Sequence, residues 1–256
     1  MFRSLCIAVA MYSKPPTPRV DWDKKSLSWA MCFFRVVGVV ITLLLGVWLG
    51  LCAWLDFGPF FRSAVALLLP IAVSGAIHLD GFCDTSDALG SHQSREKKLE
   101  ILKDSHTGAF AIICCCLYLI FFFAVWCEVQ LAGRTLWVLA LGPVLSRSLS
   151  GLAAVSWPNA RGSGLLATFI QPMDAIKARV VLLVWVAVSA AAMIALDPVT
   201  GIASVAGAGL SFLYYFVMSR RQFGGITGDL AGFFLQVCEC AMGLAVVLAQ
   251  RLEALL

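Results

Sequence analysis

Three uninterrupted apolar runs dictate what this chain can become. Val36 to Leu55, Gly108 to Cys127 and Val199 to Met218 each supply the roughly 20 residues that a helix needs to cross a hydrocarbon core of about 30 Å. A backbone in hydrocarbon has no water to bond with, so such runs must satisfy their own amides as helices. Four further stretches read as spans of lesser quality. Leu136 to Ser156 is interrupted by Arg147, Val180 to Leu196 is slightly short, Ser63 to Ile77 is short and contains Pro70, and Leu230 to Leu248 carries Glu239. The expectation is an all-α polytopic integral membrane protein with about seven transmembrane helices in a single membrane-embedded domain over residues 1–256. Composition excludes the alternatives: 61% of residues are apolar and 13% charged, which suits neither a soluble nor a disordered chain. The ten cysteines form no C-x-x-C pair, and Cys114, Cys115 and Cys116 lie within an apolar run, so they read as small hydrophobes rather than zinc or redox ligands. A net charge of +4 leaves no footprint for nucleic acid.

Basic residues orient the spans. With a cytosolic N-terminus, the inner side holds fifteen of the nineteen Lys and Arg, in the groups Arg3 to Arg35, Arg95 to Lys103, Arg161 to Arg179, and Arg220 with Arg221. The outer side holds three, Arg62, Arg134 and Arg251, and Arg147 is left inside a span. This asymmetry predicts an inner N-terminus, an outer C-terminus and residence in the cell membrane. Residues 1–28 read as an N-terminal interfacial segment. Leu5 to Tyr12 is a short apolar helix on the cytosolic surface, since no small-residue cleavage site follows it and Pro15, Pro16 and Pro18 do.

Acidic residues concentrate in one place. Six of the fifteen, Asp80, Asp84, Asp87, Glu96, Glu100 and Asp104, fall between His78 and Gly108. If the second span stays helical past Ile77, Asp80, Asp84 and Asp87 occupy positions i, i+4 and i+7 on one stripe. Like charges so placed repel, and a divalent cation is the economical compensation. Glu100 and Asp104 stand one turn apart on a second predicted helix, so that two acidic stripes joined by Gly90, Ser91 and His92 can face each other around Mg²⁺. Oxygen ligands without Cys or paired His favour Mg²⁺ or Mn²⁺ over zinc. The bland alternative is a solvated loop whose acids balance Arg95, Lys97, Lys98 and Lys103, and it suits Glu96 better than the aspartates. Arg147 lies mid-span, where a charge costs at least about 2.5 kcal/mol and faces a partner or a cavity. Glu239 is the candidate partner. Gly224-Gly225-Ile226-Thr227-Gly228-Asp229 precedes a helix, where backbone amides can cradle phosphate and Asp229 can cap the helix or bind metal. The plain alternative is a tight connection with an ordinary cap. His78 reads as a brace for the aspartate helix.

The run HLDGFCDTSDALGSHQSREKKLEILKDSHTGAF from His78 to Phe110 resembles the hallmark segment of the cobalamin synthase family, the adenosylcobinamide-GDP ribazoletransferases. The N-terminal YSKPPTPRVDW, the pair Ser146-Arg147 and GGITGDLAG from Gly224 to Gly232 match in the same order. Ala88 and Arg35 depart from the pattern without removing a ligand. The resemblance implies transfer of α-ribazole 5′-phosphate or α-ribazole onto adenosylcobinamide-GDP with release of GMP, at the membrane, with small-molecule corrinoid and ribazole substrates and Mg²⁺ as cofactor. On that basis Asp80, Asp84, Asp87 and Glu100 are the expected metal ligands. Asp104 is the first choice of general base and Asp80 the second. Arg95, Lys103, Ser105, Arg147, Gly224, Gly225, Thr227 and Asp229 are the expected substrate or phosphate contacts. The carboxylate arrangement is also similar, more weakly, to that of CDP-alcohol phosphotransferases of lipid synthesis. An ion-coupled transporter using Asp80, Arg147 and Glu239 is the alternative from a different class.

Overall fold

The computed structural model describes residues 2–13, 18, 20, 21, 23–131, 133–162 and 174–255. Regular structure among them is helical, apart from one isolated parallel bridge between Asn159 and Ile226. In chain order the helices are α1 (Phe2–Tyr12), α2 (Lys24–Leu55), α3 (Pro59–Val73), α4 (Ile77–Gly90), α5 (Arg95–Ile101), α6 (Ala109–Glu128), α7 (Thr135–Ala140), α8 (Gly142–Ser156), α9 (Ala175–Leu196), α10 (Pro198–Met218) and α11 (Gly228–Glu253). A π-helical turn, Ser219–Phe223, extends α10.

Local chemistry sets the boundaries. Asp23 opens α2 by accepting from the Ser26 amide at 2.7 Å, and Asp197 opens α10 by accepting from Val199 and Thr200, with Pro198 at the first helical position. These are the residues that best satisfy amides with no partner inside the helix.

Among the described residues six helices are long and apolar enough to cross a membrane: Phe33–Leu55 within α2, α6, the α7–α8 unit, α9, α10 with its π turn, and α11. The protein is therefore a multi-pass membrane protein. The seventh predicted span is present as a bent pair, because α3 ends at Val73 and a separate helix, α4, starts at Ile77. The chain bends by 91° between α3 and α4, through Gly75 at φ 63° and Ala76 at φ 64°. Fifteen residues make α3 about 22 Å long, short of a full crossing, so it counts as a seventh span only together with α4. Two glycine-like left-handed residues in succession cannot continue a right-handed helix, which is what frees α4 to take its own direction.

The connections separate into two ends. At one, Glu128 pairs with Arg251, the Gln130 amide donates to Gln250 at 3.0 Å, and Thr135 meets Asp197 at 3.4 Å. At the other, residues 157–161, the π turn, α5 and the start of α11 meet. Between the ends α8 is sheathed by protein, with Pro143 to Gly151 buried throughout. By contrast α6 and α9 turn Ile113, Leu117, Ile120, Leu183, Val184 and Val188 outward, a surface suited to lipid and not to water.

This sheathing explains the mid-span charge. Arg147 is 2% exposed, and its guanidinium donates to Glu239 at 2.7 Å and to the Pro143 carbonyl at 3.3 Å. Ser146 donates to the same Glu239 oxygen at 2.8 Å. The Arg147 guanidinium also lies over the Phe34 ring. Arg147 is thus the cationic partner anticipated for Glu239, and its guanidinium is turned to that carboxylate between the helices and away from water.

Candidate active site

The aspartate stripe forms as its spacing requires. α4 carries Asp80 exposed, with Asp84 and Asp87 half-buried, while its opposite face buries Phe82, Thr85 and Ser86. Phe82 stacks on Phe233 of α11 at 5.3 Å and tilts against Tyr118 of α6 at 5.0 Å. His78, at the start of α4, is buried edge-on against Phe34 and acts as the brace its position suggested.

The crossing of α4 and α11 assembles the site. A Cβ built on Gly81 would lie 2.7 Å from the Asp229 carbonyl oxygen, so only glycine lets the two helices approach this closely. The approach brings Asp229 to the α4 stripe: the charges acting most strongly on Asp84 are Asp80, Asp229, Asp87 and, with opposite sign, Arg161. Gly81→Ala is expected to lower stability by about 1–3 kcal/mol through overpacking. Gly209→Ala, with open space around it, should leave stability unchanged or slightly raised. Thermal unfolding of both variants in detergent checks the contrast, and equal melting would remove the crossing argument.

Arg161 is the residue that sequence reasoning missed, having counted it only as an inner-side charge. Its guanidinium sits 3.0 Å from Asp229. The segment that carries it is pinned by two backbone bonds, Ala160 N–H to the Ile226 carbonyl and Ile226 N–H to the Pro158 carbonyl, each at 2.9 Å. Asn159 shapes the same turn by accepting from the amides of Arg161 and Gly162. The signal was available only in the Trp157-Pro158-Asn159 turn sequence ending α8, which says that the chain reverses but not what it meets.

Asp87 has a second task. Its two oxygens accept from the amides of Gly108 at 2.5 Å and Ala111 at 2.8 Å, so it ties α4 to the first turn of α6, a favourable place for a carboxylate. Each oxygen keeps a further lone pair for another partner.

The remaining expected residues divide. Glu100 faces solvent and binds Lys97 at 2.8 Å. Asp104 is exposed and accepts from the backbone and ring of His106 at 3.0 and 2.7 Å. Those bonds, the backbone one foremost, hold its carboxyl below the usual carboxylate range. The second acidic group brought to the α4 stripe is therefore Asp229, from the far end of the sequence. Lys103 and Ser105 are exposed beside Asp104. Arg95 reaches across to the π turn, donating to the Arg220 carbonyl at 3.4 Å, and Lys98 is buried against Gln222 at 2.5 Å.

The glycine turn is closely packed. Gly224, at φ 80°, yields its Cβ space to the Arg95 guanidinium, 2.8 Å from where that carbon would stand. Its amide, and those of Gly225 and Ile226, already donate to the carbonyls of Arg220, Ser219 and Pro158. Thr227 caps α11 by accepting from the Leu230 amide at 3.2 Å. Gly224, Gly225 and Thr227 thus form a packing and capping device and not a free amide cradle, while Asp229 stands in the carboxylate cluster.

Among the described residues no group of three acidic, His or Cys side chains is placed to hold a metal ion by itself. The donors present are hard carboxylate oxygens in an open array, which is how Mg²⁺ is commonly held, with waters and substrate phosphates completing its octahedron.

The family model described as cobalamin-5-phosphate synthase matches residues 4–247. A protein of Lachnoclostridium phytofermentans named adenosylcobinamide-GDP ribazoletransferase is 39% identical over 247 residues, covering 96% of this chain and 94% of its own. Proteins of the same name from Clostridium perfringens and Fusobacterium nucleatum are 29% and 30% identical, with 93% and 92% of this chain covered and 94% and 93% of theirs. No solved structure matches.

Proposed function

The chain belongs to the cobalamin-5-phosphate synthase family, and from that premise we propose that it is an adenosylcobinamide-GDP ribazoletransferase, a membrane transferase that joins α-ribazole 5′-phosphate or α-ribazole to adenosylcobinamide-GDP. The observation that carries the chemical reading is the gathering of Asp80, Asp84, Asp87 and Asp229 beside Arg161 where α4 crosses α11.

The bond changes are those of a substituted-phosphate transfer. A ribose hydroxyl oxygen of the ribazole substrate bonds to the phosphorus attached to the corrinoid's aminopropanol arm, the bond to the second phosphate breaks, and GMP leaves with the electron pair. Such a step needs charge neutralisation, positioning and a proton acceptor, and little else from the protein. Asp84 and Asp229 would hold Mg²⁺ as a pair of carboxylates, the number this ion commonly takes from protein, and the ion when bound supplies charge neutralisation and polarises phosphoryl oxygens. Arg161 restrains Asp229 and balances the cluster. Arg95, Lys103 and Ser105 would serve as phosphate contacts, Arg95 offering the bidentate geometry that Lys103 lacks.

Asp80 is the proton acceptor that this geometry favours. It is exposed at the open end of the stripe, whereas Asp104 is held by His106 with its basicity lowered. Asp80→Asn should slow transfer by roughly 10²- to 10⁴-fold, the usual scale for loss of a general base, and Asp104→Asn by less than about tenfold. Turnover of the two variants compared under saturating substrates separates the assignments. The reverse ranking would return the role to Asp104.

The cytosolic face is the proposed location of the site. The fifteen-to-three division of basic residues supports an inner N-terminus. With the broken span counted as a crossing, the alternation of helix ends leaves the C-terminus opposite. The direct test of function is product analysis. Purified protein given adenosylcobinamide-GDP and α-ribazole 5′-phosphate should release GMP with Mg²⁺ and stop when the metal is chelated. GMP release that ignores chelator would overturn the metal assignment, and absence of any GMP would overturn the activity.

A further inference from the structure

A cavity of about 440 Å³ lies between the end of α1 and the α3–α4 bend, lined by Ala10, Met11, Ser13, Ser74, Gly75, Ala76, Ile77 and Asp80. Ser74 is buried at its floor, while Ala10, Ala76, Ile77 and Asp80 are exposed at its rim. The bend creates the space: two left-handed residues turn the chain away, and small side chains at 74 to 76 leave the volume empty. The far wall is α1, anchored where Tyr12 packs on Phe34 at 4.4 Å and Phe34 on His78 at 5.7 Å. The N-terminal helix is thereby coupled to the helix that carries the aspartates.

We propose that this cavity is the subsite for the nucleoside of the ribazole substrate, with its base between α1 and the bend and its ribose at Asp80. The assignment rests on the transferase reading above. Size is the first argument, because pockets of this volume take a drug-sized ligand, which a base with its sugar is and a substituted corrin macrocycle is not.

Polarity is the second. Both hydroxyls in the lining donate within their own helices, Ser13 to the Val9 carbonyl at 2.6 Å and Ser74 to those of Pro70 and Ile71 at 2.7 and 3.2 Å. The amides of Ser74, Gly75 and Ala76 are bonded to carbonyls of α3. A guanine placed here would find these hydroxyls and amides already engaged, so its O6 and N7 acceptors gain no donor from them, which is unfavourable. A benzimidazole-type base, with carbon and methyl edges and one ring acceptor, has Ala10, Met11, Ala76 and Ile77 to pack on. Location is the third argument, since Asp80 at the rim puts the proposed proton acceptor beside the sugar that must lose a proton.

The test narrows the cavity from the α1 side in the full chain, with Ala10→Trp and Ser13→Phe made separately so that a folding failure of one leaves the other. Each should raise KM for α-ribazole 5′-phosphate by roughly tenfold or more while changing KM for adenosylcobinamide-GDP less than about twofold. Binding of α-ribazole alone, measured by calorimetry in detergent, should weaken in parallel. A ribazole KM that stays put, or a corrinoid KM that rises as much or alone, overturns the subsite. If the wild-type protein released no GMP, the activity would fall, yet α-ribazole binding that the variants weaken would still support the cavity. Active protein with unaltered ribazole KM in the variants would sink the subsite and leave the activity standing.

Discussion

Asp84→Asn should reduce GMP release by about 10³-fold, the scale on which removal of one preorganised electrostatic group at a reacting phosphate is felt, while the protein still folds. Asp84 is the member of the cluster that senses all the others, with Asp80 and Asp87 on its own helix and Asp229 on α11. Asparagine keeps the shape and loses the charge. Without a cation the wild-type carboxylates repel, so the variant should melt higher than wild type in chelator, by a margin equivalent to about 0.5–2 kcal/mol. With Mg²⁺ added, wild type should gain stability and the variant little, since a ligand stabilises only the folded state that binds it. Turnover and melting measured in both conditions give four numbers. Near-normal turnover, or equal stabilisation of both proteins by Mg²⁺, removes Asp84 from the metal site.

The second large effect concerns stability. Glu239→Ala should cost about 3–5 kcal/mol, because it strands the Arg147 guanidinium without its counter-charge inside the bundle. Ser146 loses its acceptor at the same time. The paired change Arg147→Met with Glu239→Leu should recover most of that loss, since apolar replacements of a buried ion pair are often neutral. Apparent unfolding temperatures of the single and double variants decide it. A single variant as stable as wild type would show that the pair contributes nothing to holding α8 against α11.

Much of the architecture is legible in hydropathy because span formation is local. A run of about 20 apolar residues becomes a helix in a membrane whatever it later packs against, and α6, α9 and α10 lie close to the expected positions. The aspartate stripe was readable for the same reason, as i, i+4, i+7 spacing depends only on helical periodicity. The break at Gly75 and Ala76 was not. Alanine in a left-handed conformation follows from the packing of α4 against α11 and α6, not from alanine's own preference.

The sequence by itself determined the helical membrane fold, the existence of one acidic helix and the family resemblance of its motif. Only the tertiary structure decided that Asp229 and Arg161 complete the carboxylate cluster, that Arg147 pairs with Glu239, and that the Gly224-Gly225 turn serves packing. The physical reason lies in the solvent. A helix surrounded by lipid is apolar on its inner and outer faces alike, as α6 and α9 are, so its pattern does not announce which side meets which neighbour. That choice is made by close approach at small residues such as Gly81 and by polar groups that must find each other across helices. Both are long-range facts, absent from any local stretch of sequence.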